Sequence, residues 1–356
     1  MRNLVVLGGG YGGHSLITDL LSRNLPLDIM ITLVDRLPFQ GLKTEFYALA
    51  AGTVSDLQLR VPFPEDERIS YVYGDVTNVQ LEQQLVNLAD GQQLYYDWLV
   101  IGLGCTDKYH NIVGAEQYSY SIQSFSAVRK TSAALNDVKP YGQVSIIGGG
   151  LSGVEVASEL RESRPDLNIR LIDRNDKALS AFPGRLQTFV SEWFMEHHIE
   201  MRGHTNLERV EPGQLYDMNA KQDTILTDIT VWTAGIQPVQ LVQAINLPKD
   251  TMGRLIINEH HQLPDFTNVY IAGDCAALPY SPSGQAAGAQ GKQIAEILHA
   301  QWHDRTPKLT IIKLKGMLGS LGKKSGFGVM GSTPIMGRVP RLIKSGVLWK
   351  SKRHRG

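Results

Sequence analysis

The chain has 356 residues, 42% of them hydrophobic, enough for roughly two domains with substantial cores. Two cysteines, Cys105 and Cys275, stand 170 residues apart with no C-x-x-C pair. That excludes a disulfide framework and the thiol–disulfide chemistry that needs such a pair, and predicts a reduced, cytoplasmic protein. Formal net charge is zero, yet residues 305–356 hold 13 Lys or Arg and no acid, leaving 22 basic against 35 acidic groups elsewhere.

Leu4-Val5-Val6-Leu7 reads as a buried strand, followed at once by Gly8-Gly9-Gly10-Tyr11-Gly12-Gly13. This G-x-G-x-x-G loop then opens a helix with Leu16, Ile17, Leu20 and Leu21 on its apolar stripe. Each glycine has a physical task. The first makes the tight turn, the second admits a pyrophosphate to the backbone, and the third brings helix against strand. The helix N-terminus adds free N–H groups and roughly half a positive charge for phosphate. Ile29 to Val34 is the next strand and ends on Asp35, whose carboxylate is expected to accept ribose hydroxyls.

The whole unit recurs 140 residues further on. Val144-Ser145-Ile146-Ile147 is the strand and Gly148-Gly149-Gly150-Leu151-Ser152-Gly153 the loop. Val154, Ala157 and Leu160 stripe the helix, and Ile169 to Asp173 forms the acid-tipped strand. Two such units in one chain predict two bound dinucleotides, and two dinucleotides in one protein exchange electrons.

Between and beyond the two loops lie three more strands. Trp98 to Gly104 and Val231 to Gly235 look like return strands that carry the chain between domains. Asn268 to Ala276 ends on Gly273-Asp274, similar to a second flavin fingerprint whose aspartate reaches the ribityl and pyrophosphate part of FAD. The order fingerprint, return, fingerprint, return, Gly-Asp resembles that of the pyridine-nucleotide flavoproteins, and the resemblance implies FAD at the first loop and NADH at the second. Asp173 disfavours a 2′-phosphate and so NADPH, while Arg174 beside it softens that preference.

The fold class is therefore α/β, with two Rossmann-like dinucleotide-binding domains and a basic C-terminal segment. The FAD domain is discontinuous, residues 1–118 and 240–304; the NADH domain, 119–239, is inserted. Segment 305–356 is expected to associate with membrane. Ile335, Val339, Leu342, Ile343 and Trp349 fall near one helical face, amid Arg338, Arg341, Lys344 and Lys350, and the basic run continues to Arg355. Pro340 and Gly346 are expected to interrupt that helix. Basic residues near an anionic leaflet contribute about 1 kcal/mol each before screening. The opening residues predict no secretory leader, no run of about 18 apolar residues predicts a spanning helix, and the sparse aromatics of the tail disfavour nucleic acid. No metal spacing occurs, so His197-His198 and His260-His261 read as surface or loop residues.

Several stretches together resemble the type II NADH dehydrogenases. These are NADH:quinone oxidoreductases of the pyridine nucleotide-disulphide oxidoreductase superfamily, and the likeness is greatest to the short Gram-positive NADH dehydrogenase-like branch. They are Gly8–Gly13, Lys43 to Gly52, Gly148 to Glu155, Thr233 to Ile236, Ala272 to Cys275, and Gly284 to Lys292. The resemblance implies FAD and NADH as cofactors, a quinone or other small acceptor, and a peripheral location on the inner face of the cell membrane, with homodimer formation open. It places Lys43 near the isoalloxazine and Glu155 where nicotinamide stacks on the flavin. It places Gln285 and Gln290 toward the acceptor, and Arg36, Val76, Gly104, Ala286 and Gly235 among the cofactor contacts. The glutamine motif departs from the family pattern: Gly284 replaces a leading Ala, and Ala289 replaces one of two paired Gln. Two rival readings therefore stay open, an NADH-responsive flavoprotein with little turnover and a soluble reductase of a protein acceptor. On this reading a chain ending at Asp304 keeps NADH-dependent flavin reduction.

Overall fold

A computed structural model describes residues 1–219 and 224–353, with side chains to Trp349; Arg355 and the side chain of Lys350 lie outside the described residues. Its largest sheet has six strands. In spatial order they are Gln262–Leu263, Phe266–Ile271, Trp98–Ile101, Arg2–Leu7, Ile29–Asp35 and Ile69–Tyr73. All neighbours are parallel except Gln262–Leu263. Runs such as Leu4 to Leu7 are fully buried because helices and loops cover both faces, which is why they are continuously apolar and not alternating. Phe266–Ile271 comes from far along the chain, yet pairs Val269 with Leu99.

A second sheet of five parallel strands is built from the segment between. It runs Tyr120–Ser121, Ile229–Trp232, Gln143–Ile147, Asn168–Ile172, Ile199–Arg202. The two connections meet side by side. Cys105–Asp107 pairs antiparallel with Ile236–Pro238, so the outgoing and returning chains form one two-stranded crossing.

Beyond Asp304 the chain runs without regular structure along the helix Gly284–Trp302. The amides of Lys308 and Lys315 donate to Glu296 and Gln285 (3.0 and 3.2 Å). An antiparallel sheet then follows, Gly316–Leu321, Ser325–Met330 and Thr333–Gly337, and a helix, Arg338–Arg353. Two expectations change here. Ile335 belongs to the last strand and not to the helix. Pro340 does not break the helix, because it sits in the first turn, where the backbone N–H has no intrahelical acceptor. Gly346 lies mid-helix without interrupting it. Among the described residues no helix is long and apolar enough to cross a membrane.

Candidate functional site

The two glycine loops fold alike. Gly8 and Gly148 adopt φ of +97° and +105°, where a side chain is strained. A Cβ on Gly13 would collide with the Gly8 carbonyl oxygen, and one on Gly153 with that of Gly148. Around Gly10 and Gly150 there is nothing within 4 Å, so the middle glycine of each loop faces open space. These are the cradles that a pyrophosphate fits, at the N-termini of helices Tyr11–Leu21 and Leu151–Ser163.

The acid of each unit binds its own loop. Asp35 accepts from the Gly9 and Leu37 amides at 2.7 and 2.9 Å. Asp173 accepts from the Gly149 amide at 2.6 Å, and from the Asn175 amide and side chain at 2.8 and 2.7 Å. Ribose binding is the expected role of each acid. The structure adds that each carboxylate ties the acid-bearing strand to the glycine turn. Burial pushes the Asp35 carboxyl upward in pKa, opposed by those amides. Arg174 follows Asp173 in the same turn, and Arg36 is exposed, 3.8 Å from Asp75.

The first cradle is joined to the Gly-Asp turn by close helix packing. Cβ atoms on Gly12, Gly288 and Gly291 would meet Ala272, Ser15 and the Gly12 carbonyl, so helices Tyr11–Leu21 and Gly284–Trp302 lie almost in backbone contact. Ala272, against which Gly12 packs, leads directly into the turn Gly273–Cys275 that carries Asp274, and Ala286 is buried at the start of the long helix beside that turn. Ser283 caps that helix, accepting from the Ala286 amide at 3.1 Å. Tyr11 bonds Thr44 through its hydroxyl (2.9 Å), and its ring packs against Gly284. Val76 is half-buried in the strand Val76–Gln80.

Lys43 points its ammonium at the Cys105 carbonyl (3.3 Å) and thiol (3.0 Å), just past Gly104. Burial pushes the Cys105 thiol up to about 12, so it stays protonated beside the lysine. Asp107, two residues on, is buried and raised to about 6, chiefly by burial; Ser121 donates to one of its oxygens. Gly235 lies on the crossing, where His110 Nε2 meets the Ala234 carbonyl at 2.7 Å. A cavity of about 430 Å³ opens there, lined by Lys108, His110, Glu116 and Gln237.

Glu155 is buried, and its partners come from the tail. Its carboxylate accepts from the Ser320 amide (2.8 Å) and pairs with the ammonium of Lys344 on the terminal helix. Lys344 also lies 3.6 Å from Glu45 and donates to the Tyr47 hydroxyl (3.1 Å). That hydroxyl also bonds Glu45 and Ser320 at 2.9 and 2.8 Å. Burial pushes the Glu155 carboxyl up while Lys344 pulls it down. Burial opposes the charge on Lys344, but Glu155, Tyr47 and Glu45 outweigh it and hold the ammonium above its usual pKa. The tail sheet also grips the same helix through Glu162, which accepts from the Lys323 amide at 2.8 Å. The tail is therefore part of this site and not a separable appendage.

Sequence reasoning missed Lys344, Ser320 and Glu45. Lys344 is one of 13 like charges in a basic tail and carries no local mark of burial. The expected acceptor glutamines also part company. Gln285 is exposed and receives the Lys315 amide, whereas Gln290 is fully buried, accepting from the Gly273 amide at 2.8 Å and meeting His261. His261, read as a surface or loop residue, does lie in a loop but is only 5% exposed.

The sequence pattern of the pyridine nucleotide-disulphide oxidoreductase family matches residues 2–302. The NADH dehydrogenase-like protein YutJ of Bacillus subtilis (strain 168) is 48% identical over the full length of both chains. The type II NADH:quinone oxidoreductase of Staphylococcus aureus (strain NCTC 8325 / PS 47) is 22% identical, covering 96% of this chain and 93% of its own. In fold, the chain is similar to NDH2 from Plasmodium falciparum, solved in complex with NADH, with a TM-score of 0.84 and 17% identity. That likeness covers 99% of this chain and 96% of that one. The chain belongs to the pyridine nucleotide-disulphide oxidoreductase family, and it is an oxidoreductase of the NADH dehydrogenase type. Its cofactors are FAD and NADH.

Proposed function

We propose that the chain passes two electrons from NADH through FAD to a quinone at a membrane surface. FAD occupies the first cradle and NADH the second, in domains bounded as 1–118 with 240–304, and 119–239. The observation that carries this reading is the contact of Gly12 with Ala272: glycine-packed helices bring the first glycine loop against the strand end that leads into the Gly273-Asp274 turn.

FAD supplies the chemistry of accepting a hydride and releasing electrons. The chain's own groups do the rest. Gly10 and Gly150 leave room for pyrophosphate, and Lys43, held against Cys105, would supply a fixed cation to a bound flavin, where negative charge develops on reduction. Glu155, oriented by Ser320 and Lys344, closes the nicotinamide end, and the buried packing of Tyr47 keeps water from it. Gln285, exposed in the first turn of the helix Gly284–Trp302, is the side chain this reading assigns to the acceptor.

The quinone is supported by the S. aureus relative, which matches nearly all of the chain. The membrane is supported by the tail, where Ile311, Met317, Val339, Leu342, Val347 and Trp349 are all exposed within a segment of 13 basic and no acidic residues. The location this reading implies is peripheral, on the cytoplasmic face of the cell membrane. A second reading draws on the burial of Gln290 and on Ala289: with fewer amides free for a quinone, the chain is an NADH-responsive flavoprotein of low turnover.

Anaerobic titration separates the two. NADH should bleach the flavin, and menaquinone or ubiquinone analogues should then reoxidise it at rates matching steady-state turnover. Bleaching without reoxidation by any quinone selects the second reading, and a flavin that NADH leaves oxidised overturns both.

A further inference from the structure

A line of hydrogen bonds joins the flavin-side turn to the tail. The Gly273 amide donates to Gln290 Oε1 (2.8 Å), and Gln290 Nε2 donates to His261 Nδ1 (3.4 Å). His261 Nε2 then donates to Gln293 Oε1 (2.7 Å), and Gln293 Nε2 donates to the Thr310 carbonyl. Both ends are backbone groups, an N–H that only donates and a C=O that only accepts. The direction of every link is therefore fixed, and His261 must be the neutral ring with its proton on Nε2. A doubly protonated ring would set one donor against another at Gln290.

The chain builds this placement at some cost. His261 adopts φ of +60°, a left-handed conformation that is unfavourable for a side chain. Asn258 Oδ1 holds the loop there by accepting from the His260 and Gln262 amides, both at 2.9 Å. The His261 carbonyl receives the Ile271 amide (2.9 Å), two residues before the turn.

We infer that His261 is a positioning residue for FAD. It holds the Gln290 amide in the one orientation whose oxygen receives Gly273, and so sets the turn that carries Asp274. The inference rests on the proposed placement of FAD in the first cradle. It also gives Gln290 a flavin-side task in place of the acceptor-side one expected of it.

The experiment uses the full-length flavoprotein and measures FAD dissociation by fluorescence, the visible flavin spectrum, and KM for NADH. His261→Phe and Gln290→Leu should each weaken FAD binding on the order of tenfold, the effect of one lost buried hydrogen bond. The flavin band should shift while KM for NADH holds. The double variant should lose no more than either single one, because both break the same line. His261→Asn, which keeps an acceptor where Nδ1 stood, should recover FAD binding to within about threefold. If FAD binding in His261→Phe stays within twofold of wild type, or the two losses add, the inference is overturned. Should His261→Phe fail to fold, an unchanged FAD affinity in Gln290→Leu overturns it equally. A wild-type protein that binds no FAD overturns the placement in the first cradle, and the inference with it.

Discussion

Lys344 of the terminal helix is the buried counter-ion of Glu155, although 189 residues separate them. The pair joins three parts of the chain, since Glu45 and Tyr47 come from the first nucleotide unit, Glu155 from the second, and Ser320 and Lys344 from the tail. One ammonium faces two carboxylates there, so removing it leaves charge that no solvent screens.

Lys344→Met is accordingly expected to lower folding stability by about 3–5 kcal/mol, the usual cost of stranding one member of a buried pair. Lys344→Met combined with Glu155→Gln should regain most of it. Urea unfolding of the three variants checks this, and equal losses in the single and double variants would contradict it.

A chain ending at Asp304 should not behave as an intact flavoprotein. It lacks Ser320, Lys344 and the buried Phe327, and it uncovers Tyr47, Glu155 and Leu151. The expected result is loss of NADH-dependent flavin reduction together with a lowered thermal midpoint. Scanning calorimetry and anaerobic stopped-flow absorbance read both.

The two cradles should fail differently. Gly10→Val fills the open space of the first loop and should yield colourless protein. Gly150→Val should remain yellow while the apparent affinity for NADH falls by at least tenfold, seen in flavin bleaching titrations. Yellow protein from Gly10→Val would contradict the assignment of FAD.

Asp107 should give a pH-dependent penalty. Its carboxyl is raised from 3.8 to about 6 by burial, with Ser121 and the Lys43 charge opposing, and one oxygen has no partner among the described residues. A raised carboxyl supports the fold fully below pH 3.8 and loses that support as pH rises to about 6. Above that the folded protein carries a buried carboxylate at a cost of about 3 kcal/mol. Asp107→Asn should therefore gain stability relative to wild type as pH climbs from 4.5 to 7.5, measured by urea midpoint. A pH-independent difference would contradict it.

Leu342 and Val347 test the tail surface. Replacing either with Asp removes an exposed apolar contact, and burial of such a side chain contributes about 1.5–3 kcal/mol. Each variant should therefore bind vesicles containing anionic lipid on the order of tenfold more weakly by co-sedimentation, and high salt should weaken the wild type too. Unchanged partition would argue against the membrane.

Local features were legible because their causes are local. A turn that needs φ near +100° selects Gly8 and Gly148, close packing of helix on strand selects Gly13 and Gly153, and strands buried on both faces select unbroken apolar runs. The sequence alone thus determined two cradles, their acids and the discontinuous course of the first sheet. The tertiary structure decided what no spacing encodes. A lysine in a basic tail, a histidine in a polar loop and a glutamine in a helix look solvated until the fold surrounds them. Burial then makes a partner obligatory, and Lys344 finds Glu155 and His261 finds Gln290 across distances in sequence over which no residue pattern persists.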